Sequence, residues 1–180
     1  MAASKSDLVT ASKLLSLVLR HDPAALGLTL DPEGWVTVAD LVANSSGKLT
    51  DPLIRQIVLE SDKQRFALSP DGTEIRANQG HSVKVNLGLQ AAIPPDQLFH
   101  GTADGAIASI MIEGLTPRQR QFVHLSADRQ TALKVGGRHG RPVVLTIAAL
   151  QMQRAGHCFF QSANGVWLTK AVPTPFIALA

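Results

Sequence analysis

The sequence predicts an α+β protein of two lobes, and three observations carry that expectation. Residues 1–90 hold three helix-spaced apolar runs and one strand–turn–strand signal; "GLQAAIPPDQ" (88–97) breaks the chain; and residues 91–180 read mostly as short strands. With 180 residues there is length for one large domain or two small ones. A hydrophobic fraction of 45% against 17% charged residues excludes a disordered chain.

The first helix is expected over Ser6 to Arg20, with Leu8, Leu14, Leu15, Val18 and Leu19 on its buried side. Pro23 disfavours helical backbone in the residue before it, which ends the helix near His21 or Asp22. Gly34-Trp35 is a turn, after which Thr37 caps a short helix through Val42. Thr50-Asp51-Pro52 starts a third helix, "LIRQIVLES". "RFALSPDGTEIRA" then reads as two strands around Pro70-Asp71-Gly72. Three helices followed by a hairpin is the order of a winged-helix module. Pro94-Pro95 can neither continue a helix nor sit inside a sheet and marks a linker. Beyond it "LFHGT", "FVHLS", "PVVLTIAAL" and "GVWLTKAVP" read as strands. "GAIASIMIEGL" reads as a helix ended by Gly114, and "GGRHG" (136–140) as a loop after a helix.

Composition narrows the function classes. No apolar run approaches the ~18 residues of a membrane span, and "MAASKSDLVT" lacks a signal-peptide core. One cysteine, Cys158, allows neither an internal disulfide nor a cysteine cage for zinc, so the cytoplasm is the expected compartment. The six histidines show no HxH or HxxxH spacing, and no metal is expected. Phosphate-loop, nucleophile-elbow and dinucleotide-fold motifs are also missing. Charge is uneven: residues 1–90 carry nine Lys/Arg against ten Asp/Glu, and residues 91–180 carry eight against four. Six of those eight are Arg, whose fork suits phosphate.

Four stretches concentrate reactive side chains: "RHDP", "SDKQRF", "IRANQGHS" and "RQRQFVHLSAD". Each alone has a plainer explanation. Arg20-His21 complements the negative end of a helix, and Arg65 lays its stem on Phe66.

In combination the stretches carry more. "LSLVLRHDP", "GW", "SDKQRF", "IRANQGHS", "LFHGT", "VHLSAD", "VGGRHGRPVVL" and "NGVWLT", in this order from Ser12 to Thr169, closely resemble the RNA 2′-phosphotransferase (tRNA 2′-phosphotransferase) family. The resemblance implies a winged-helix-like RNA lobe (1–90) and an NAD-binding lobe of ADP-ribosyltransferase-like fold (91–180). It also implies removal of an internal 2′-phosphate from RNA, possibly tRNA, by transfer to NAD. By motif the reactive set is Arg20, His21, Arg65 and Arg120. NAD is expected against His100, Gly101, Thr102, Gly114, His124, Ser126 and Val166, with Gly101 letting backbone approach the ligand; the RNA and its phosphate are expected near Arg76, Gln79, His81 and Arg138.

The chemistry suits that set. A phosphate monoester is already ionised at neutral pH, and nicotinamide leaves a pyridinium as a neutral molecule, so the first step needs neither base nor acid. What remains is holding one anion against another, which forked cations do well. Val166 stands where ADP-ribosyltransferases commonly carry a Glu, and a carboxylate there would repel a phosphorylated acceptor. Two rivals remain: an ADP-ribosyltransferase that caps terminal phosphates of RNA or DNA, and a winged-helix binding protein without catalysis. A monomer is expected, since both lobes lie on one chain, and no membrane partner.

Overall fold

Helix α1 (Lys5–Arg20) starts on a capping box: the Ser4 hydroxyl accepts the Asp7 N–H, and the Asp7 carboxylate accepts the Ser4 N–H, both at 3.2 Å. In the computed structural model, which describes residues 4–61, 63–138 and 140–180, two compact units result. One ends at Gly88 and the other begins at Leu89. Asp62 of "SDKQRF" and His139 of "GGRHG" lie outside the described residues.

In the first unit α1 buries Ala11, Leu15, Val18 and Leu19. It stops at Arg20 because Asp22 caps a new 3-10 turn, Pro23–Leu26, that proline opens. Strand β1 (Val36–Thr37) runs into α2 (Val38–Asn44), whose first turn the Thr37 hydroxyl caps. Helix α3 (Asp51–Glu60) has Thr50 as cap and proline in its first turn. Strands β2 (Phe66–Leu68) and β3 (Glu74–Ala77) follow, and the order β1-β3-β2 is antiparallel throughout. Asp71 ties the hairpin turn, accepting from the Ser69 hydroxyl at 2.6 Å and the Thr73 N–H at 3.1 Å. The core is a continuous cluster in which Leu15, Leu19, Leu41, Leu49, Ile54 and Ile75 are fully buried.

The second unit holds β4 (Leu98–Ala103), α4 (Ile107–Glu113), β5 (Val123–Leu125), α5 (Arg129–Gly136), β6 (Pro142–Ile147) and α6 (Ala149–Arg154). Strands β7 (Phe159–Gln161), β8 (Trp167–Thr169) and β9 (Ile177–Leu179) complete it. Two antiparallel sheets, β4-β6-β9 and β5-β8-β7, are joined where Phe99 and Ser126 exchange backbone hydrogen bonds of 2.8 and 2.9 Å. The molecule is thus mixed helix and sheet, an α+β protein.

Two expectations are corrected. "PVVLTIAAL" is not one strand: β6 ends at Ile147, and the good helix formers after it open α6. "GVWLTKAVP" contributes only Trp167–Thr169 as strand. Val166 precedes it in a turn where its N–H donates to the Ser162 hydroxyl at 3.2 Å.

Candidate functional site

Three of the reactive stretches meet in the first unit. The Arg20 guanidinium, at the last turn of α1, donates to the Arg65 carbonyl at 3.3 Å and lies 5.7 Å from the Phe66 ring centroid. That carbonyl also accepts the Asn78 N–H at 2.9 Å, while the Asn78 amide donates to the Gln64 carbonyl at 2.6 Å. Gln64 has φ of +40°, a conformation few side chains adopt, so Asn78 holds the bend that delivers Arg65. His21 and Arg65 line one and the same groove.

Ser82 fixes the Arg-His pair from behind. Its N–H and that of Val83 donate to the Arg20 carbonyl at 2.9 and 3.2 Å, and its hydroxyl donates there too, at 3.3 Å. The same hydroxyl is hydrogen-bonded to His21 Nδ1 at 3.0 Å. The contact positions the His21 ring through Nδ1. Ser82 was not singled out in the sequence, although it follows His81 in "NQGHS".

Beside this pair His81 is buried and Arg76 half-buried. Burial, followed by the charges of Arg20, His21 and Arg76, lowers the His81 pKa from 6.5 to about 4, so the ring is neutral. Its Nε2 and the Arg76 Nε are buried with no hydrogen-bond partner among the described residues. Such atoms beside clustered cations fit an incoming anion. The Gly34-Trp35 turn shapes the spot: a Cβ on Gly34 would stand 3.5 Å from His81 Nε2, and Trp35 stacks under the Arg76 guanidinium at 4.5 Å. Asp31 closes that turn by accepting the Trp35 N–H at 2.7 Å. Gly80 takes φ of +91°, a backbone conformation that favours glycine, and packs against the Arg20 guanidinium. Gln79 is half-buried.

A second cluster lies in the second unit. His100 donates from Nδ1 to the His124 carbonyl at 3.1 Å, and burial holds its pKa below the ordinary value. Its ring is then neutral with a lone pair on Nε2, an acceptor suited to a sugar hydroxyl. Strand alternation separates His124 from the core: Val123, Leu125 and Trp167 belong to the core face, and His124 with its partner Leu168 to the other. Continuing that register sets Ser126 opposite Val166. Arg120 has its pKa lowered by burial and then by Arg138, which places two cations near one another. Among the described residues neither these two nor Arg65 has a carboxylate within ion-pair distance.

The glycines answer to packing. A Cβ on Gly101 would fall on the Ala132 carbonyl of α5, and one on Gly136 would stand 2.7 Å from the Thr102 carbonyl. The bare Gly101 thus lets helix α5 approach on its Cβ side. Gly114, with φ of +79°, ends α4 and would drive a Cβ into the Val172 carbonyl. Thr102 pairs with Val143 in the neighbouring strand.

A family model described as RNA 2′-phosphotransferase, Tpt1 / KptA family, matches residues 6–171. A probable RNA 2′-phosphotransferase of Agrobacterium fabrum is 56% identical over 172 residues, covering 94% of this chain and 92% of that protein. Proteins described in the same words from Pectobacterium atrosepticum and Rhodopirellula baltica are 53% identical over 170 residues and 50% over 181. They cover 92% and 98% of this chain, and 94% and 98% of their own lengths.

Proposed function

Because the chain belongs to the RNA 2′-phosphotransferase, Tpt1 / KptA family, we propose that it removes an internal 2′-phosphate from RNA with NAD as co-substrate. A 2′-phosphate oxygen bonds to the anomeric carbon of the nicotinamide ribose as the bond to nicotinamide breaks. The ribose 2″-hydroxyl then attacks phosphorus, and the RNA 2′-oxygen leaves with that hydroxyl's proton. The products are RNA with a free 2′-hydroxyl, nicotinamide and ADP-ribose 1″,2″-cyclic phosphate.

One observation carries the reading: Arg20, His21 and Arg65 are held together by the 78–82 segment, with His21 and Arg65 facing one groove. In this reading the guanidiniums of Arg20, Arg65 and Arg120 bind the transferred phosphate and take up charge in the second step. His21, positioned by Ser82, takes the proton of the attacking 2″-hydroxyl and passes it to the departing RNA oxygen. The residues 76–81 and Arg138 extend the phosphate site.

The second unit fits NAD on the chemistry of its donors and acceptors. The neutral His100 accepts from a ribose hydroxyl, with His124, Ser126 and Val166 beside it and Gly101, Thr102 and Gly114 shaping the wall. The winged-helix and ADP-ribosyltransferase-like descriptions of the two lobes belong to the same proposal. The order of three helices and a hairpin in the first unit and the paired three-stranded sheets of the second support them. Among the described residues no helix is long and apolar enough to cross a membrane, and we place the enzyme in the cytoplasm as a monomer.

Incubation with NAD and a 2′-phosphorylated oligonucleotide is expected to yield the cyclic phosphate and nicotinamide together. Nicotinamide with a stable ADP-ribosylated RNA as end product would instead mark a capping enzyme. Absence of nicotinamide release would mark a binding protein.

A further inference from the structure

We propose that the outward face of α1 is the track for the single-stranded RNA flanking the phosphorylated nucleotide, an inference that rests on the function proposed above. A groove of about 420 Å³ opens along this helix, passing Ser12, Lys13, Ser16 and Leu17 before it reaches His21 and Arg65. The positions recur at three- and four-residue spacing and form one stripe, facing away from the buried Leu15, Val18 and Leu19. From Val9, at its far end, to His21 the stripe is about 18 Å long.

The lining has the mixture that a single strand needs. Two hydroxyls and the Lys13 ammonium can donate to phosphodiester oxygens. Leu17 and Val9, 42% and 49% exposed, offer apolar area to a ribose or base face. Among the described residues no carboxylate lines the groove, although residues 1–90 as a whole are slightly acidic. The attraction is therefore local to the stripe, and its end is the phosphate site itself. Helix α3, the alternative surface in a three-helix unit, is less suited. It carries Asp51 and Glu60, and its Arg55 is taken up by Asp51 at 2.8 Å and the Gly72 carbonyl at 3.0 Å.

The test is binding of 2′-phosphorylated RNA to the full chain by fluorescence anisotropy without NAD. A 2′-phosphorylated dinucleotide is compared with oligonucleotides extended by about four nucleotides on the 5′ or the 3′ side. One of the two extensions should tighten binding. Lys13→Glu should reduce that gain about tenfold, and Lys13→Ala should lower the salt slope for the longer RNA by about 0.7. Lys48→Glu, the same charge change away from the groove, should leave the gain as in the unaltered protein. No gain from either extension, or a full gain in Lys13→Glu, would overturn the proposal. A Lys13-dependent gain in a protein that never transfers phosphate would overturn the catalytic reading and leave the RNA track standing.

Discussion

The His21 ring is positioned by one hydroxyl, and the consequence is measurable. Ser82→Ala removes the hydrogen-bond partner of Nδ1 and one of three donors to the Arg20 carbonyl. A hydrogen bond of this kind contributes about 1 kcal/mol, so turnover should fall about fivefold. The loss should fall on the second step, where a proton is needed at the departing oxygen. Ser82→Ala is thus expected to accumulate ADP-ribosylated RNA, and Ser82→Thr to restore the normal ratio of intermediate to product. Equal slowing of both steps would mean that Ser82 only supports the fold. His81 makes a separate prediction about pH. Its ring is neutral in the folded protein, with a pKa of about 4 against 6.5 when unfolded. Between these values the unfolded chain binds the extra proton, so stability from this group is full above pH 6.5 and is lost as pH falls toward 4. The difference is on the order of 3 kcal/mol. Denaturant unfolding at pH 7.5 and pH 4.5 should show a smaller acid loss in His81→Gln than in the unaltered protein; an equal loss would refute the assignment.

At the scale of elements, close approach decides more than propensity does. Strand β4 and helix α5 touch through Gly101 and Gly136, where backbone meets backbone. Gly101→Ala has nowhere to place its methyl and should destabilise the second unit by about 3 kcal/mol, seen as a lower melting temperature. Gly105→Ala, with open space and ordinary φ, should be close to neutral. Which elements were legible in the sequence follows from similar considerations. Helix α1 and its stop were readable because a long amphipathic period ends in a proline signal, and Gly114 was readable as a cap. The turn at Pro70-Asp71-Gly72 announced the hairpin. By contrast β7 and β9 have three residues each, too few for any period to emerge. The run "PVVLTIAAL" is apolar throughout, so nothing in it marks where strand gives way to helix. In the site the motif residues were legible, but Asn78, Ser82 and Trp35 were not assigned roles. Their work is done through carbonyls, one ring nitrogen and a stacked guanidinium, all of which depend on tertiary contacts.

For the whole molecule the question is which acceptor the chain serves, and that is a matter of local charge. The net charge is only +3, so no strong overall field selects an anionic partner. Selection must come from where cations gather and carboxylates are missing. Val166 is the position that tests this. The register of β5 with β8 sets it opposite Ser126, on the side of the sheet that carries His124 and not the core residues Leu125 and Trp167. In the proposed reaction a carboxylate introduced there would face the incoming phosphate in a partly desolvated setting, where like charges repel strongly. Val166→Glu is expected to reduce phosphate transfer at least tenfold, while Val166→Gln, of similar size and uncharged, should retain most of it. Gln151→Glu lowers the net charge by the same amount at an exposed site on α6 and should leave transfer unaffected. If Val166→Glu and Val166→Gln lose equal activity, bulk at this position is the cause and the repulsion argument fails. If Val166→Glu turns over normally, the residue is not beside the phosphate at all, and selectivity for a phosphorylated acceptor must rest on the arginines alone.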